Sequence, residues 1–549
     1  MYMNSPERFE VNPTATQSAW TWPGLGLWNL YFLIKLALLW SGHLNLQILP
    51  NLVFAAVLLV PLRNRYLSLL RTLIAIPLSV ALFYQDTWLP PFSRLLDQPG
   101  VLNFTGDYLL DLAGRFIDPH LCGALLLLVV AYFFVRQWLR LTTLTLAGFA
   151  WLGGAGLMAM HTPAQQSTTQ AAVSAGTPIV SAEPDSPTLD AYLQNFYSTE
   201  AGRQVVFQPS QSAAQPFDLL LINICSMAWD DLDAVGLHDN SLLQQMDVVF
   251  ENFNSATSYS GPAAIRLLRA SCGQQSHSKL YDVAPEQCLL MDDLRKLGFN
   301  SEVMLNHTGK FEGFIDEVRA QGSLPAPEVN ITNLPRALVA FDGSPIWRDR
   351  EVLDKWWQHR EGQNDSRVAL FYNTTTLHDG NRALTLDGGT KSADYKARAQ
   401  TMIDDLSAFL KELEKSGRRV AVVIVPEHGA ALHGDRMQIS GMREIPSPSI
   451  THVPVGIKLV GMGKNPRSEP ILVKGPSSYL ALSEIMSRLY AVPAQGEGLG
   501  PDWQALLANL PQTPAVSENA GTVVLDYAGK PYVRIKENGT WLPYPQKFN

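Results

Sequence analysis

Five apolar stretches crowd into the first 160 residues, at roughly 25–42, 45–62, 70–88, 119–136 and 141–160, each near the length needed to cross the hydrocarbon core of a bilayer. A signal peptide followed by buried core helices does not account for their number and length. The expectation is a five-helix transmembrane domain over residues 1–160. Arg63, Arg65 and Arg71 fall between the second and third stretches, and Arg136 and Arg140 between the fourth and fifth. That bias puts both turns, and with them the amino terminus, in the cytoplasm. The segment 89–118, with Asp97, Asp107, Asp111 and Asp118 against Arg94 and Arg115, is then external, and an odd helix count exports everything after residue 160. Lys35 inside the first helix and His43 just beyond it read as snorkelling or interfacial side chains.

Beyond His161 the composition changes to Thr, Ser, Ala, Gln and Pro without lysine or arginine up to about Pro187. Such a stretch is a flexible tether. Leu189, Tyr192, Leu193, Phe196 and Tyr197 then recur at helical spacing, so the expected tether, 161–216, ends in a short amphipathic helix packed on the soluble domain or on the bilayer surface. From Phe217 to the end the pattern alternates. Strands are expected at 217–225, 247–254, 301–305, 337–341, 368–372, 420–425 and 453–460, with helices at 261–270, 396–415 and 480–490 and a β ribbon in the last thirty or so residues. This predicts an extracytoplasmic α/β domain over 217–549, a sheet sandwiched by helices. At 549 residues the chain exceeds a single core, and a net charge of −8 without a long basic run argues against nucleic acid as partner.

The run Val420 to Val425 is a buried strand stopped by Pro426, which leaves Glu427, His428 and Gly429 just past its carboxyl end, where open α/β sheets place their chemistry. A carboxylate and an imidazole there can hold a divalent cation, usually zinc. Cys272 and Cys288 are separated by a loop of about 15 residues that suits a disulfide in an oxidising compartment. Cys122 is a small apolar residue of a membrane helix. That leaves Cys225, at the end of the strand 217–225, as either a buried thiol or a metal thiolate. Ser260, at the head of a helix with Pro262 in its first turn, stands where an N-cap would and where a nucleophile facing a phosphate would. Trp347, Trp356 and Trp357 suit a core or rim better than a sugar platform.

The order of these features resembles the alkaline phosphatase superfamily: a strand ending in Cys225, Ser258-Tyr259-Ser260-Gly261 heading a helix, His378 after a strand, Pro426-Glu427-His428-Gly429, then Thr451-His452 before another strand. Within it the match is to the membrane-anchored phosphoethanolamine and phosphoglycerol transferases. Two departures, Cys225 for an acidic ligand and Glu427 for an aspartate, narrow it to the phosphoethanolamine transferases of bacterial cellulose biosynthesis. The resemblance implies an alkaline-phosphatase-like α/β sandwich with a mostly parallel central sheet, anchored in the bacterial inner membrane with its catalytic domain in the periplasm. It implies Zn2+ on Cys225, Ser260, Glu427 and His428, with Ser260 as nucleophile. His378, Arg443, His433, His452 and Tyr259 would then bind the phosphoryl oxygens or shuttle a proton. The implied donor is phosphatidylethanolamine and the implied acceptor a glucosyl 6-OH of nascent cellulose, beside cellulose synthase complex subunits. Two other readings stay open: a transferase acting on lipid A or another envelope glycan, and a non-catalytic scaffold of the secretion complex. No Cys-x-Pro-x-Arg occurs at the nucleophile position, which disfavours a sulfatase.

Overall fold

The computed structural model describes residues 24–41, 44–62, 64–87, 104–115, 119–161, 183–208, 216–463, 469–491, 501–536 and 539–545. His43, Arg63, Arg94, Asp97, Asp118 and half of the expected tether lie outside them. The chain divides into two compact units, one of residues 1–89 and 118–175, the other of 90–117 and 176–549.

In the first unit the apolar stretches form helices Trp28–Trp40, Ile48–Leu59, Arg65–Gln85, Pro119–Val135 and Leu141–His161. Arg65–Gln85 is long and apolar enough to cross a membrane; the others are shorter apolar helices over 28–40, 48–59, 122–135 and 141–154. Their outer faces carry exposed Leu49, Leu73, Ile74, Val80, Leu127 and Trp151, a surface that water disfavours and lipid does not. Lys35 does not snorkel. It is fully buried, 2.5 Å from Asp86 Oδ2, because Asn51 and Tyr31 supply the remaining acceptors that its ammonium needs.

In the second unit the expected alternation forms a central sheet. Its strands are β1 (Asp218–Ile224), β2 (Val248–Asn254) and β3 (Asn300–Leu305), then, after the short β4 (Arg336–Val339) and β5 (Pro345–Trp347), β6 (Val368–Thr374). The short β7 (Arg382–Leu384) and β8 (Thr390–Ser392) precede β9 (Val420–Pro426), β10 (His452–Val460) and β11 (Ile471–Val473). The order is β11-β2-β10-β9-β1-β6-β3. Only β10 is antiparallel to its neighbours; the other pairings are parallel. The continuous apolar runs in β1 and β9 follow from this, since both faces are covered. One face packs on the helix Ser260–Leu268 and on Tyr479–Ala491. The other packs on Asp349–Glu361 and Tyr395–Lys415, which bury Trp356, Ala399, Met402, Leu406 and Leu410. Trp347, Trp356 and Trp357 belong to this core.

The helix Ser186–Ala201 turns Leu189, Leu193 and Phe196 onto Val516, Val523, Leu525, Tyr532 and Trp541 of the terminal ribbon, strands β12 (Val516–Asn519), β13 (Thr522–Tyr527), β14 (Lys530–Ile535) and β15 (Trp541–Pro543). Core packing, not a bilayer surface, takes its apolar face. Cys272 and Cys288 form a disulfide.

Candidate metal centre

Adjacent parallel strands end together, and that alone gathers the chemistry. The register aligns Ile224 of β1 with Pro426 of β9 and with Thr374 of β6, so Cys225 and Glu427 emerge side by side. Backbone bonds fix the exit: Cys225 N–H donates to Thr374 O at 2.9 Å, Glu427 N–H to Ile224 O at 2.8 Å, and Met227 N–H to His428 O at 2.7 Å. Ser226 takes a left-handed conformation (φ 68°) at this turn, held by Tyr395 Oη donating to its carbonyl at 2.7 Å. Past His428 the chain passes so close to Ala228 and Asp231 that a Cβ at Gly429 would overlap both. Buried Asp231 pins that loop by accepting from Ala228 and Ala430 N–H at 3.0 and 2.7 Å and from Leu432 N–H at 3.2 Å.

Cys225, Glu427 and His428 are each 0% exposed, and one ligand atom from each lies within 4.8 Å of the other two. Ser260, the first residue of its helix, is half-buried and places Oγ 3.3 Å from Cys225 Sγ and 3.3 Å from His428 Nε2. Cys225 Sγ to His428 Nε2 is 3.8 Å, and His428 Nε2 to Glu427 Oε2 is 3.9 Å. A tetrahedral ion with bonds of about 2.0–2.3 Å separates its ligand atoms by roughly 3.3–3.8 Å, so Ser260, Cys225 and His428 have the spacing of a single coordination shell, with Glu427 Oε2 just beyond that spacing from His428.

The hydrogen bonds say which atoms are committed. His428 Nδ1 contacts its neighbour's carbonyl, Gly429 O, at 2.8 Å; as the donor there it leaves the Nε2 lone pair facing Ser260 and Cys225. Asn373 Nδ2 donates to Glu427 Oε1 at 2.5 Å, while Oε2 is buried without a partner. Without an ion this is an expensive arrangement. Burial pushes the Cys225 thiol up to about 12, with the Glu427 charge adding to it, and burial pushes Glu427 up to about 7. Burial and then the Arg443 charge hold His428 far below the usual imidazole range. A soft sulfur, one oxygen and one neutral nitrogen that lack positive charge are a donor set suited to zinc.

Arg443 reaches the same place from the loop after β9. Its Nη1 is 3.1 Å from His428 Nδ1 and 3.3 Å from Ser226 Oγ. Ser258 Oγ donates to the Arg443 carbonyl, as does Asn519 Nδ2 at 3.1 Å. Tyr259 Oη donates to Glu444 Oε1 at 2.6 Å, so its hydroxyl holds the residue after Arg443. Burial and then the Arg443 charge lower His378 to about 4; the neutral ring directs Nδ1 to Asp379 O at 2.7 Å. His433 and His452 stand elsewhere. They line an open groove of about 1710 Å³ with Trp229, Asp233 and His238; His433 pairs with Asp230 at 3.9 Å and His452 Nε2 donates to Glu251 O at 2.5 Å.

Four scaffold residues carry no role in the sequence pattern. Asn373 and Asn223 face each other in register, Asn373 Nδ2 donating to Asn223 Oδ1 at 3.0 Å, and His307 Nε2 meets Asn373 Oδ1 at 2.8 Å. Two asparagines inside otherwise apolar strands were the available signal. Asp231 had none beyond its acidity.

The family model described as "Cellulose biosynthesis protein BcsG C-terminal domain" matches residues 173–541, and the one described as "Cellulose biosynthesis protein BcsG N-terminal domain" matches 28–154. The cellulose biosynthesis protein BcsG of Escherichia coli is 49% identical over 98% of this chain and 100% of its own length; that of Salmonella typhimurium is 48% identical over 97% and 99%. Among solved structures, an alkaline phosphatase superfamily protein from Vibrio parahaemolyticus covers 65% of this chain and 91% of its own at TM-score 0.45 and 13% identity. The zinc complex of the C-terminal periplasmic domain of EcEptC from Escherichia coli covers 61% and 96% at TM-score 0.40 and 14% identity. With both halves matched by the family models and two relatives nearly half-identical end to end, the chain belongs to the BcsG family of cellulose biosynthesis proteins.

Proposed function

We propose that this chain is a zinc-dependent phosphoethanolamine transferase of the bacterial inner membrane, moving the headgroup of phosphatidylethanolamine to glucosyl residues, at the 6-OH, of nascent cellulose. One observation carries the reading. Ser260 Oγ lies 3.3 Å from both Cys225 Sγ and His428 Nε2, beside a buried Glu427 oxygen that has no other partner. Cys225, Glu427 and His428 would hold the zinc; bound there, it would lower the pKa of the Ser260 hydroxyl and neutralise charge on the phosphoryl oxygens.

The chain's own residues do the rest in two displacements. Ser260 Oγ, deprotonated, forms a bond to phosphorus as the bond from phosphorus to the diacylglycerol oxygen breaks, and that oxygen leaves with a proton. The glucosyl hydroxyl then loses its proton and bonds to phosphorus as the Ser260 ester breaks. The Ser260 and Gly261 amides at the start of the helix Ser260–Leu268 and the Arg443 guanidinium would face the phosphoryl oxygens. His378, neutral and with Nδ1 occupied, offers Nε2 for the proton in each half. Tyr259 acts through Glu444, on the placement of Arg443. His433 and His452, which line the groove, are given no role at phosphorus.

The apolar helices and their exposed faces support a multi-pass anchor within 1–160, while residues 90–117 and the helix Ser186–Ala201 of the expected anchor and tether fall in the unit that carries the catalytic domain over 217–549; we place that domain in the periplasm and the amino terminus in the cytoplasm. A donor that is itself a lipid explains the anchor, since tethering raises its effective concentration. Family membership motivates the cellulose acceptor and an association with cellulose synthase complex subunits.

The test is to incubate the purified full chain with phosphatidylethanolamine vesicles and no acceptor, then digest and weigh the peptides. Phosphoethanolamine on the Ser260 peptide, absent from Ser260→Ala, is expected. Equal lipid turnover by Ser260→Ala would overturn the reading.

A further inference from the structure

The carboxylate next to His378 is held by residues from far upstream, in the segment between the third and fourth apolar helices. The helix Gly106–Arg115 ends in Arg115, whose Nη1 donates to Asp379 Oδ2 at 2.7 Å and Nη2 to Oδ1 at 2.8 Å. Tyr108 Oη donates to the same carboxylate at 3.2 Å. Thr105 N–H donates to Phe341 O at 3.0 Å, Phe104 and Tyr108 pack on the Phe341 ring, and Phe341 stacks on His378 with centroids 4.7 Å apart.

The backbone on the receiving side is shaped for this contact. Gly380 (φ +77°) approaches Tyr108 so closely that a Cβ would strike its ring, and Gly441 (φ +80°) approaches Arg115 so closely that a Cβ would strike its guanidinium. Both left-handed conformations are ones that side-chain-bearing residues rarely adopt. Asp379 follows His378 and supplies the carbonyl that orients its ring; Gly441 stands two residues before Arg443. The same guanidinium therefore touches both turns that carry the phosphoryl-facing groups. Arg382 ties the outer side of the helix more loosely, to half-exposed Asp111 at 2.9 Å and to exposed Asp107 at 3.4 Å.

We propose that Arg115 is a positioning residue for the transfer site: it clamps Asp379 against the Gly441 turn and so holds His378 and Arg443 in register with Ser260. The catalytic unit is thus completed by a segment inserted between the apolar helices of the other unit. The planar guanidinium fork suits this role, because it engages both carboxylate oxygens at fixed geometry, which a lysine does not. The proposal rests on reading the centre as a phosphoryl-transfer site.

The test compares full-length wild type, Arg115→Ala, Arg115→Lys, Asp379→Asn, the double variant Arg115→Ala/Asp379→Asn, and Asp111→Asn as a control on the outer ion pair. Each is assayed for kcat and KM on a fluorescent phosphatidylethanolamine analogue in vesicles, for zinc content and for its melting temperature. Misplacing groups around phosphorus lowers kcat, so Arg115→Ala and Asp379→Asn should each lose about tenfold or more in kcat, with KM, zinc and melting nearly unchanged. The double variant should be no worse than the poorer single, Arg115→Lys should fall between Arg115→Ala and wild type, and Asp111→Asn should stay within about twofold. Wild-type kcat in Arg115→Ala overturns the proposal, and so does a loss matched by falls in zinc content or melting, which marks a merely structural clamp. If the wild type itself does not turn over the lipid, the reading of the centre has failed instead.

Discussion

Lys35, Asn51 and Asp86 in one unit and Cys225, Glu427 and His428 in the other are both fully buried polar groups, yet only the first is saturated. The Lys35 ammonium meets Asp86 at 2.5 Å, Asn51 Oδ1 at 2.7 Å and Tyr31 Oη at 3.0 Å, and Asp86 also accepts from Asn51 Nδ2 and Gln47 N–H, both at 2.8 Å. Each proton has an acceptor and the charges cancel. At Cys225, Glu427 and His428 there are three donor atoms, no positive charge among them although the Arg443 guanidinium comes within 3.1 Å of His428 Nδ1, and an oxygen without a partner. A closed network fixes a structure, whereas an open one is completed by a ligand. The first cluster joins three helices, and the second asks for a cation.

The largest test of that contrast removes the sulfur. Cys225→Ala should lose zinc and at least about a thousandfold of transfer while melting no lower than metal-free wild type, since an alanine leaves no unpaired group. Cys225→Asp should keep some zinc with impaired turnover. Stoichiometric zinc and normal transfer in Cys225→Ala would make Cys225 a buried thiol and nothing more. The converse change, Lys35→Ala, strands the Asp86 carboxylate. It should cost about 3–5 kcal/mol of stability with zinc content unaltered; unfolding in detergent, followed alongside metal analysis, separates the two effects.

How much of this could be read in advance depended on whether a residue acts through its neighbours in sequence or across the sheet. The strand Val420–Pro426 and the residues after it were legible because a run of β-branched residues ended by proline is a local signal. The expected α/β sandwich with a mostly parallel sheet is what forms, because hydrophobic periodicity reports the face that is buried. Lys35 is illegible in the sequence, since its partner Asp86 is 51 positions away and nothing local distinguishes a paired ammonium from a snorkelling one. Arg115 reads only as loop charge for the same reason: its partner Asp379 is 264 positions away. Asn373 matters only through a register that brings it opposite Asn223.

A smaller effect probes the scaffold under the open cluster. Burial raises Asp231 to about 6, above the ordinary carboxylate value near 3.9, so the folded state binds its proton more tightly than the unfolded state. Its contribution to stability is therefore present below pH 4 and lost as pH climbs through 6. Relative to wild type, Asp231→Asn should gain about 2–3 kcal/mol between pH 4 and pH 7, read from denaturant unfolding of the two proteins. A pH-independent difference would mean that Asp231 stays ionised in the fold. The smallest expected change follows Asn373→Ala, which frees Glu427 Oε1 from its orienting donor without touching a ligand. Zinc affinity should fall by about 10–100-fold in competition with a chelator. No change would mean that the carboxylate is oriented by something else.

The claim on which the rest depends is that the open cluster is a zinc site with a sulfur ligand, and zinc-edge X-ray absorption of the purified full chain tests it most directly. The account predicts one zinc per chain with a single sulfur at about 2.3 Å and nitrogen or oxygen at about 2.0–2.2 Å, the sulfur shell vanishing in Cys225→Asp while the lighter shell remains. A spectrum with nitrogen and oxygen neighbours alone in the wild type, unchanged in the variant, would contradict it.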